Sequence, residues 1–334
     1  MKLLIITNNP TRPSFRQRIE IYQDILRQND IHCHIRQLPP GMWGRRDLFQ
    51  SCRDYDCVFL HKKRLNWLNA CQLRKNSRKI IYDFDDAVMV SEKRPDQPDA
   101  SRLKVFRRTV KLADRVLAGN AFLAGQARAY NANVEIVPTG LNVAEYPEDK
   151  RPFQLNDGKI RLVWIGSKST LGYLSMITDS LEEIGRRFPN VVLRIICDEF
   201  FDLSNMDVER KPWSLSTQVR DLMECDIGLA PLPDDPFTRG KCGFKILQYA
   251  AASLPTVASP VGVNAEMIQD SQAGFLADSP QQWIENVSSL ISNAENRVSV
   301  GHASRCNVAI NYDKTVLGER LCQHIKQTLD FGVT

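Results

Sequence analysis

Lys241 and Lys245 stand four residues apart in the run Arg239-Gly240-Lys241-Cys242-Gly243-Phe244-Lys245-Ile246-Leu247-Gln248-Tyr249, which opens an apolar helical pattern. If both are helical they share a face at a helix start, where two cations and unpaired backbone amides suit a phosphate-bearing anion. A solvated face is the alternative for such a pair. A second anion-competent turn is Leu162-Val163-Trp164-Ile165-Gly166-Ser167-Lys168-Ser169-Thr170, a strand ending in glycine ahead of a helix expected from about Leu171. Gly166 allows a phosphate close to the backbone, and Ser167, Ser169 and Thr170 can donate hydroxyls to it. The same turn also reads as a plain N-cap.

Acids gather at one place in the first half, where Lys79-Ile80-Ile81-Tyr82-Asp83-Phe84-Asp85-Asp86 ends a strand pattern in three carboxylates. The spacing superficially matches a metal-binding Asp-x-Asp, but the surrounding alternation of strands and helices argues against that role. Capping of the next helix is a further reading. The histidines at 32, 34, 61, 302 and 324 show no ligand spacing with acids or cysteines. The nine cysteines are scattered without a Cys-x-x-Cys pair, so they read as reduced thiols, and neither a metal nor a bound cofactor is expected.

These residues need strand ends to position them. β-rich runs alternate with helical patterns: residues 3–6 before 15–27, 57–60 before 65–73, 80–84, 116–118 before 122–130, and 134–137. The polar, proline-containing stretch 148–158 reads as a linker. The pattern restarts with strands 161–165, 191–196, 227–230 and 256–258 among helices 173–187, 215–225 and 244–252, and residues 281–329 keep only helical periodicity. The expected fold class is α/β with two doubly wound parallel-sheet domains, residues 1–152 and 153–311, and a C-terminal helix from 312 to 334. Ligands of such sheets bind beyond the carboxyl ends of the strands. Arg16 and Arg18, after the first strand, would then border the ligand crevice, where they could meet an anion; amphipathic surface arginines are the other reading.

Length and composition, 334 residues with 43% hydrophobic and 25% charged, suit two globular domains. The formal charge of +5 is uneven: residues 1–150 hold 26 Lys and Arg against 17 Asp and Glu, leaving 18 against 22 beyond. Basic clusters include Lys62-Lys63-Arg64, Arg74-Lys75, Arg78-Lys79 and Arg107-Arg108. No run approaches the ~18 apolar residues of a spanning helix, and the start turns polar early for a signal peptide, so a cytoplasmic location is expected.

The run 231–262, with Gly-Lys-Cys-Gly-x-Lys-x-Leu-Gln-Tyr at 240–249 and Leu254-Pro255-Thr256-Val257-Ala258-Ser259-Pro260-Val261-Gly262 after it, closely resembles the donor-binding segment of family 4 glycosyltransferases of the GT-B fold, bacterial cell-surface polysaccharide type. Weaker echoes are Ala113–Ala118 with Asn120, and Ile136-Val137-Pro138-Thr139-Gly140-Leu141-Asn142. The family often carries two acids here, and Gly240 and Gln248 occupy those positions. The resemblance implies two Rossmann-like domains facing a central cleft, the acceptor bound by the first and the donor by the second. It places Asp85 or Asp86 on the cleft wall with Asn120, Arg16 and Arg18 where they contact an anionic acceptor or the donor phosphate, and Glu199 near the nucleotide base.

The implied activity is retaining transfer from a nucleoside-diphosphate sugar, as co-substrate, to a glycan or lipid-linked acceptor of cell-envelope or exopolysaccharide biosynthesis. Lys241 and Lys245 would hold the diphosphate, Gln248 the ribose, and Asp85 would polarise the acceptor or stabilise positive charge. The basic first domain suits an anionic membrane surface at the inner face, and no nucleic-acid partner is expected. A catalytically silent sugar-binding or scaffold protein and a nucleotide-sugar epimerase of the same fold are the competing readings. A nicotinamide dehydrogenase is disfavoured, since Gly-x-Gly-x-x-Gly follows neither domain's first strand.

Overall fold

The computed structural model describes residues 1–271 and 273–330. The chain forms two contact units: residues 1–141, 235–242 and the segment from Lys314 make the first, and residues 142–234 and 243–313 the second.

The first unit is built on six parallel strands: β1 (Lys2–Thr7), β2 (His32–Gln37), β3 (Cys57–His61), β4 (Ile80–Phe84), β5 (Arg115–Ala118) and β6 (Val134–Ile136), in the order β2-β1-β3-β4-β5-β6. Its helices are α1 (Pro13–Arg18), α2 (Gln23–Gln28), α3 (Met42–Ser51), α4 (Trp67–Asn76), α5 (Ala100–Leu112) and α6 (Ala121–Arg128). Strands β3 and β4 are buried along their whole length, as expected of a parallel sheet covered on both faces. One face packs Leu4, Ile6, Leu60 and Tyr82 against Leu48, Phe49, Leu73 and Phe106 of α3, α4 and α5. The strand order reverses at β1, so the loops after β1 and β3 flank a switch point, where ligand crevices form in such sheets.

The second unit repeats the plan with β7 (Ile160–Ile165), α7 (Lys168–Ser175), α8 (Thr178–Arg187), β8 (Val191–Ile196), β9 (Asp207–Lys211), α9 (Gln218–Met223), β10 (Ile227–Ala230), α10 (Phe244–Ala251), β11 (Thr256–Ala258), α11 (Val263–Ser271), β12 (Gly274–Leu276), α12 (Pro280–Ser292) and α13 (Ala294–Asn311). Its sheet is also parallel, ordered β12-β11-β10-β7-β8-β9, with the reversal at β7. The last helix, α14 (Lys314–Asp330), returns to the first unit and packs on α2. A Cβ at Gly318 would come 2.6 Å from Ile25 Cδ1, and Lys314 pairs with Asp24 at 2.8 Å.

Strands 80–84, 191–196, 227–230 and 256–258 lie where the periodicity predicts them. The single helix expected over 15–27 is instead α1 and α2, interrupted at Ile19, whose backbone leaves the helical region at φ −134°. The helix expected over 173–187 is divided into α7, which begins earlier, and α8. Helices α3, α5 and α11 and strands β9 and β12 are additions. Strand β9 reads Asp-Val-Glu-Arg-Lys, with no apolar alternation, because it is an edge strand held by charge. Buried Arg194 on β8 meets Glu209 of β9 and Glu224, each at 2.8 Å, while Arg161 on β7 reaches the same Glu209 at 3.0 Å. Removing one partner of a buried pair strands the others. Arg194→Ala is expected to cost the second unit about 3 kcal/mol, read as a lowered urea midpoint.

Candidate functional site

In the first unit the acids at the end of β4 meet a lysine that follows β3. Lys62 takes a left-handed backbone (φ 57°), with its amide donating to the Asp83 carbonyl at 2.7 Å. That turn directs its ammonium to Asp85 Oδ1 at 2.9 Å and to Asp86. Ser14 Oγ, just after β1, donates to both Asp85 oxygens at 2.8 and 2.9 Å, and lies 3.3 Å from His61 Nε2. His61 Nδ1 in turn meets Thr7 Oγ1 at 3.1 Å. Burial alone would push the Asp85 carboxyl up; the charges of Lys62 and Arg18 outweigh it and hold the group well below the usual range. Burial lowers the His61 pKa, which favours the neutral ring. Burial likewise opposes the Lys62 charge, but Asp85 and Asp86 raise its pKa above the ordinary lysine value.

Arg18 is buried. It pairs with Asp83 and donates to the carbonyls of Val137 and Pro138, so its charge ties the α1, β4 and β6 ends together. Arg16 lies half-buried on α1. Asn120 caps α6 by accepting from the Leu123 amide at 2.9 Å, while its own amide donates to the Lys241 carbonyl at 2.8 Å.

That last bond belongs to a second group of contacts in which residues 235–242 fold onto the ends of β4 and β5. The Cys242 thiol donates to the Asp85 carbonyl at 3.2 Å, and burial, then the Asp85 charge, push it up to about 12. A Cβ at Gly119 would strike the Cys242 sulfur, and one at Gly240 would come within 2.7 Å of the Ala87 Cβ. Glycine at 240, where the resembled family carries an acid, is therefore required by packing on Ala87. Lys241 Nζ lies 3.9 Å from Asp86 Oδ1 and 4.5 Å above the Phe237 ring. The premise that Lys241 and Lys245 are both helical is not met: Lys241 is extended (φ −73°, ψ 150°), and α10 starts only after Gly243, whose φ is 64°.

In the second unit, the turn after β7 holds the other anticipated residues. Gly166 leaves no room for a side chain, since a Cβ there would meet the Trp164 ring and Thr170 Oγ1 at 3.0 Å. The Ser167 amide donates to Thr170 Oγ1 at 3.3 Å, and Ser167 and Ser169 hydroxyls are 3.1 Å apart, with α7 beginning at Lys168. Exposed Glu199 pairs with Lys168 rather than standing alone. Lys245, in the first turn of α10, lies over the Trp164 ring at 5.1 Å. Trp164 thus lies against Gly166 and under Lys245. Tyr249, one turn on, fixes α10: its hydroxyl donates to the Leu229 carbonyl (3.1 Å) and accepts from the Ile165 amide (3.2 Å). Gln248 is buried and donates to Gln218 Oε1 at 3.2 Å.

Lys62, Ser14, His61 and Trp164 were not singled out by the sequence patterns. His61 and Lys62 stand at the carboxyl end of β3 beside the switch point, the position where a search of strand ends would have found them. Among the described residues, no group of three or more His, Cys, Asp and Glu side chains is placed to hold a metal ion.

Asp85→Asn is expected to lower stability by about 3 kcal/mol at pH 7, because it leaves the Lys62 charge poorly compensated. A carboxyl depressed in the folded state stabilises above its ordinary value of about 3.9 and loses that contribution as pH falls through the folded value. The gap between wild type and variant in urea unfolding should be full at pH 5 to 7 and shrink below about pH 4. Gly240→Glu should displace residues 235–242 and lower the midpoint, whereas Gly172→Ala, with open space around it, should not.

Residues 159–293 match the family described as Glycosyl transferases group 1. No curated protein matches the chain. Among solved structures it is similar to Anabaena HepE in complex with UDP and glucose, at 15% identity and TM-score 0.74 over 98% of this chain and 100% of that one. Sucrose-phosphate synthase from Thermosynechococcus elongatus gives 13% identity and 0.73 over 98% and 99%. WaaG, described as a glycosyltransferase involved in lipopolysaccharide biosynthesis, gives 15% and 0.65 over 97% and 99%. At these identities the likeness is one of fold, and the two six-stranded parallel sheets with flanking helices are those of the GT-B class.

Proposed function

We propose that this chain is a retaining, metal-independent glycosyltransferase of the family 4 type. It would move a sugar from a nucleoside-diphosphate sugar to a glycan or lipid-linked acceptor of cell-envelope or exopolysaccharide biosynthesis, at the inner face of the cytoplasmic membrane. The observation that carries the reading is the match of residues 159–293 to group 1 glycosyl transferases, which encloses the Gly166–Thr170 turn, Lys241 and Lys245. The UDP in HepE and the lipopolysaccharide role stated for WaaG favour a UDP-sugar and an envelope acceptor.

On this reading the amides at the start of α7 and the ammonium of Lys245, held on Trp164, neutralise the diphosphate as it leaves, together with Lys241. Asp85, kept ionised by Lys62, stabilises the positive charge that develops at the anomeric carbon or polarises the acceptor hydroxyl. The acceptor attacks from the face the diphosphate leaves, so no protein nucleophile is required.

Thermal unfolding with UDP, GDP, ADP, CMP and dTDP conjugates tests the donor site. One nucleotide should stabilise the protein, by about 2.7 kcal/mol at a hundred times its Kd. Lys241→Ala/Lys245→Ala should weaken that binding at least tenfold, and EDTA should leave turnover unchanged. Retention is read from the anomeric configuration of the product. Donor binding without consumption would favour the silent scaffold, and consumption without acceptor an epimerase; no shift with any nucleotide would overturn the donor site.

A further inference from the structure

The first turns of α3 and α4 place four large apolar side chains in solvent: Met42 and Trp43 on one, Trp67 and Leu68 on the other, exposed by 68, 70, 63 and 56%. Burying them would be the ordinary outcome for residues of this size. The two helices are neighbours. Each is the crossover between parallel strands on the same face of the first unit's sheet, so they run in the same direction, and they pack together through their inner sides. Their starts therefore lie side by side at the carboxyl edge of that sheet.

Cations surround this apolar patch. Arg45 and Arg46 follow directly on the first turn of α3, and Lys63 and Arg64 precede α4. The Arg46 guanidinium lies 6.0 Å over the Trp43 ring. Lys63, on the loop leading into α4, is held below the ordinary lysine value by burial and by the neighbouring charges of Arg45 and Arg64. Arg64 in turn feels Arg102 of α5, and Arg102 pairs with Asp99 at 3.2 Å. Exposed Asp47 is the acid on α3 itself.

We propose that the starts of α3 and α4, with Arg45, Arg46, Lys63 and Arg64 behind them, dock on an anionic lipid surface. Tryptophan, methionine and leucine enter the headgroup boundary, while the arginines and lysines reach the lipid phosphates. Two tryptophans at adjacent tips suit the interfacial region, where an amphipathic ring is at home. Charge complementarity selects this occupant: a second copy of the same face would bring its own cations against these. The inference rests on the proposed membrane-side acceptor and names the surface that would meet it.

Co-sedimentation with phosphatidylcholine vesicles, alone or carrying 30% phosphatidylglycerol, tests this on the full chain without sugar nucleotide. Wild type should bind the anionic vesicles at least tenfold more tightly, with a blue shift of tryptophan emission. Trp43→Ala/Trp67→Ala, both at exposed positions, should keep the wild-type Tm, lose the blue shift and weaken vesicle binding at least fivefold. Arg46→Glu/Lys63→Glu should abolish the preference for the anionic vesicles. Equal binding by wild type and the tryptophan variant would overturn the proposal, as would no binding to either vesicle or a dimer in solution that the tryptophan variant dissolves. Nucleotide binding measured on the same samples separates the two readings: if it persists without vesicle binding, the docking surface alone fails; if vesicles bind and no nucleotide does, the donor site alone fails.

Discussion

A carboxylate as buried as Asp85 would take up a proton if it stood alone, and the first unit is arranged so that it does not. Lys62 supplies the opposite charge, Ser14 the hydrogen-bond donor, Arg18 adds to the field, and His61 lies against Ser14. His61 and Lys62 come from the end of β3 and the turn after it, and Ser14 and Arg18 from α1, the helix that follows β1, so the switch-point topology is what brings them together. The cost is local strain: Lys62 takes a left-handed conformation that lysine rarely adopts, and the bond from its amide to the Asp83 carbonyl holds it there. The arrangement also anchors a distant stretch of chain, because Cys242 bonds to the Asp85 carbonyl and Gly240 closes against Ala87.

The second unit uses buried charge differently. There, arginines on β7 and β8 hold an edge strand too polar to be held by apolar packing. At its switch point the organising group is an aromatic ring. Trp164 excludes any side chain at Gly166 and supports the Lys245 ammonium, while Tyr249 bonds the ends of β7 and β10 to α10. A cation resting on an indole face loses less rotamer freedom when it binds an anion than a lysine in open water. Glycine at 166 is a consequence of this ring, and Lys245 rests on it.

The lysine pair shows where local pattern and three-dimensional placement part. Spacing four apart is the signature of a shared helix face, and the apolar run after Lys245 made a helix there legible. The break at Gly243, a glycine in the left-handed region, puts Lys241 in extended backbone, and its partners are Asp86, Phe237 and Asn120 instead. Helix α3, with a glycine and several charges, and strand β9, with no apolar alternation, escaped the periodicity for the same reason: their stability comes from neighbours, which no local window contains.

The sequence by itself determined the parts whose burial is complete, the apolar strands at 80–84, 191–196, 227–230 and 256–258, and with them the parallel α/β class. Those features follow from how a chain hides apolar side chains, which composition and period record directly. Tertiary structure alone decided that Lys62 answers Asp85 and Asp86, that Arg18 serves Asp83, and that Trp164 carries Lys245. Those partners stand more than twenty residues apart in the chain and act over a few ångströms. Only the closing of the sheets, which sets neighbours by strand order rather than by sequence order, brings them within range.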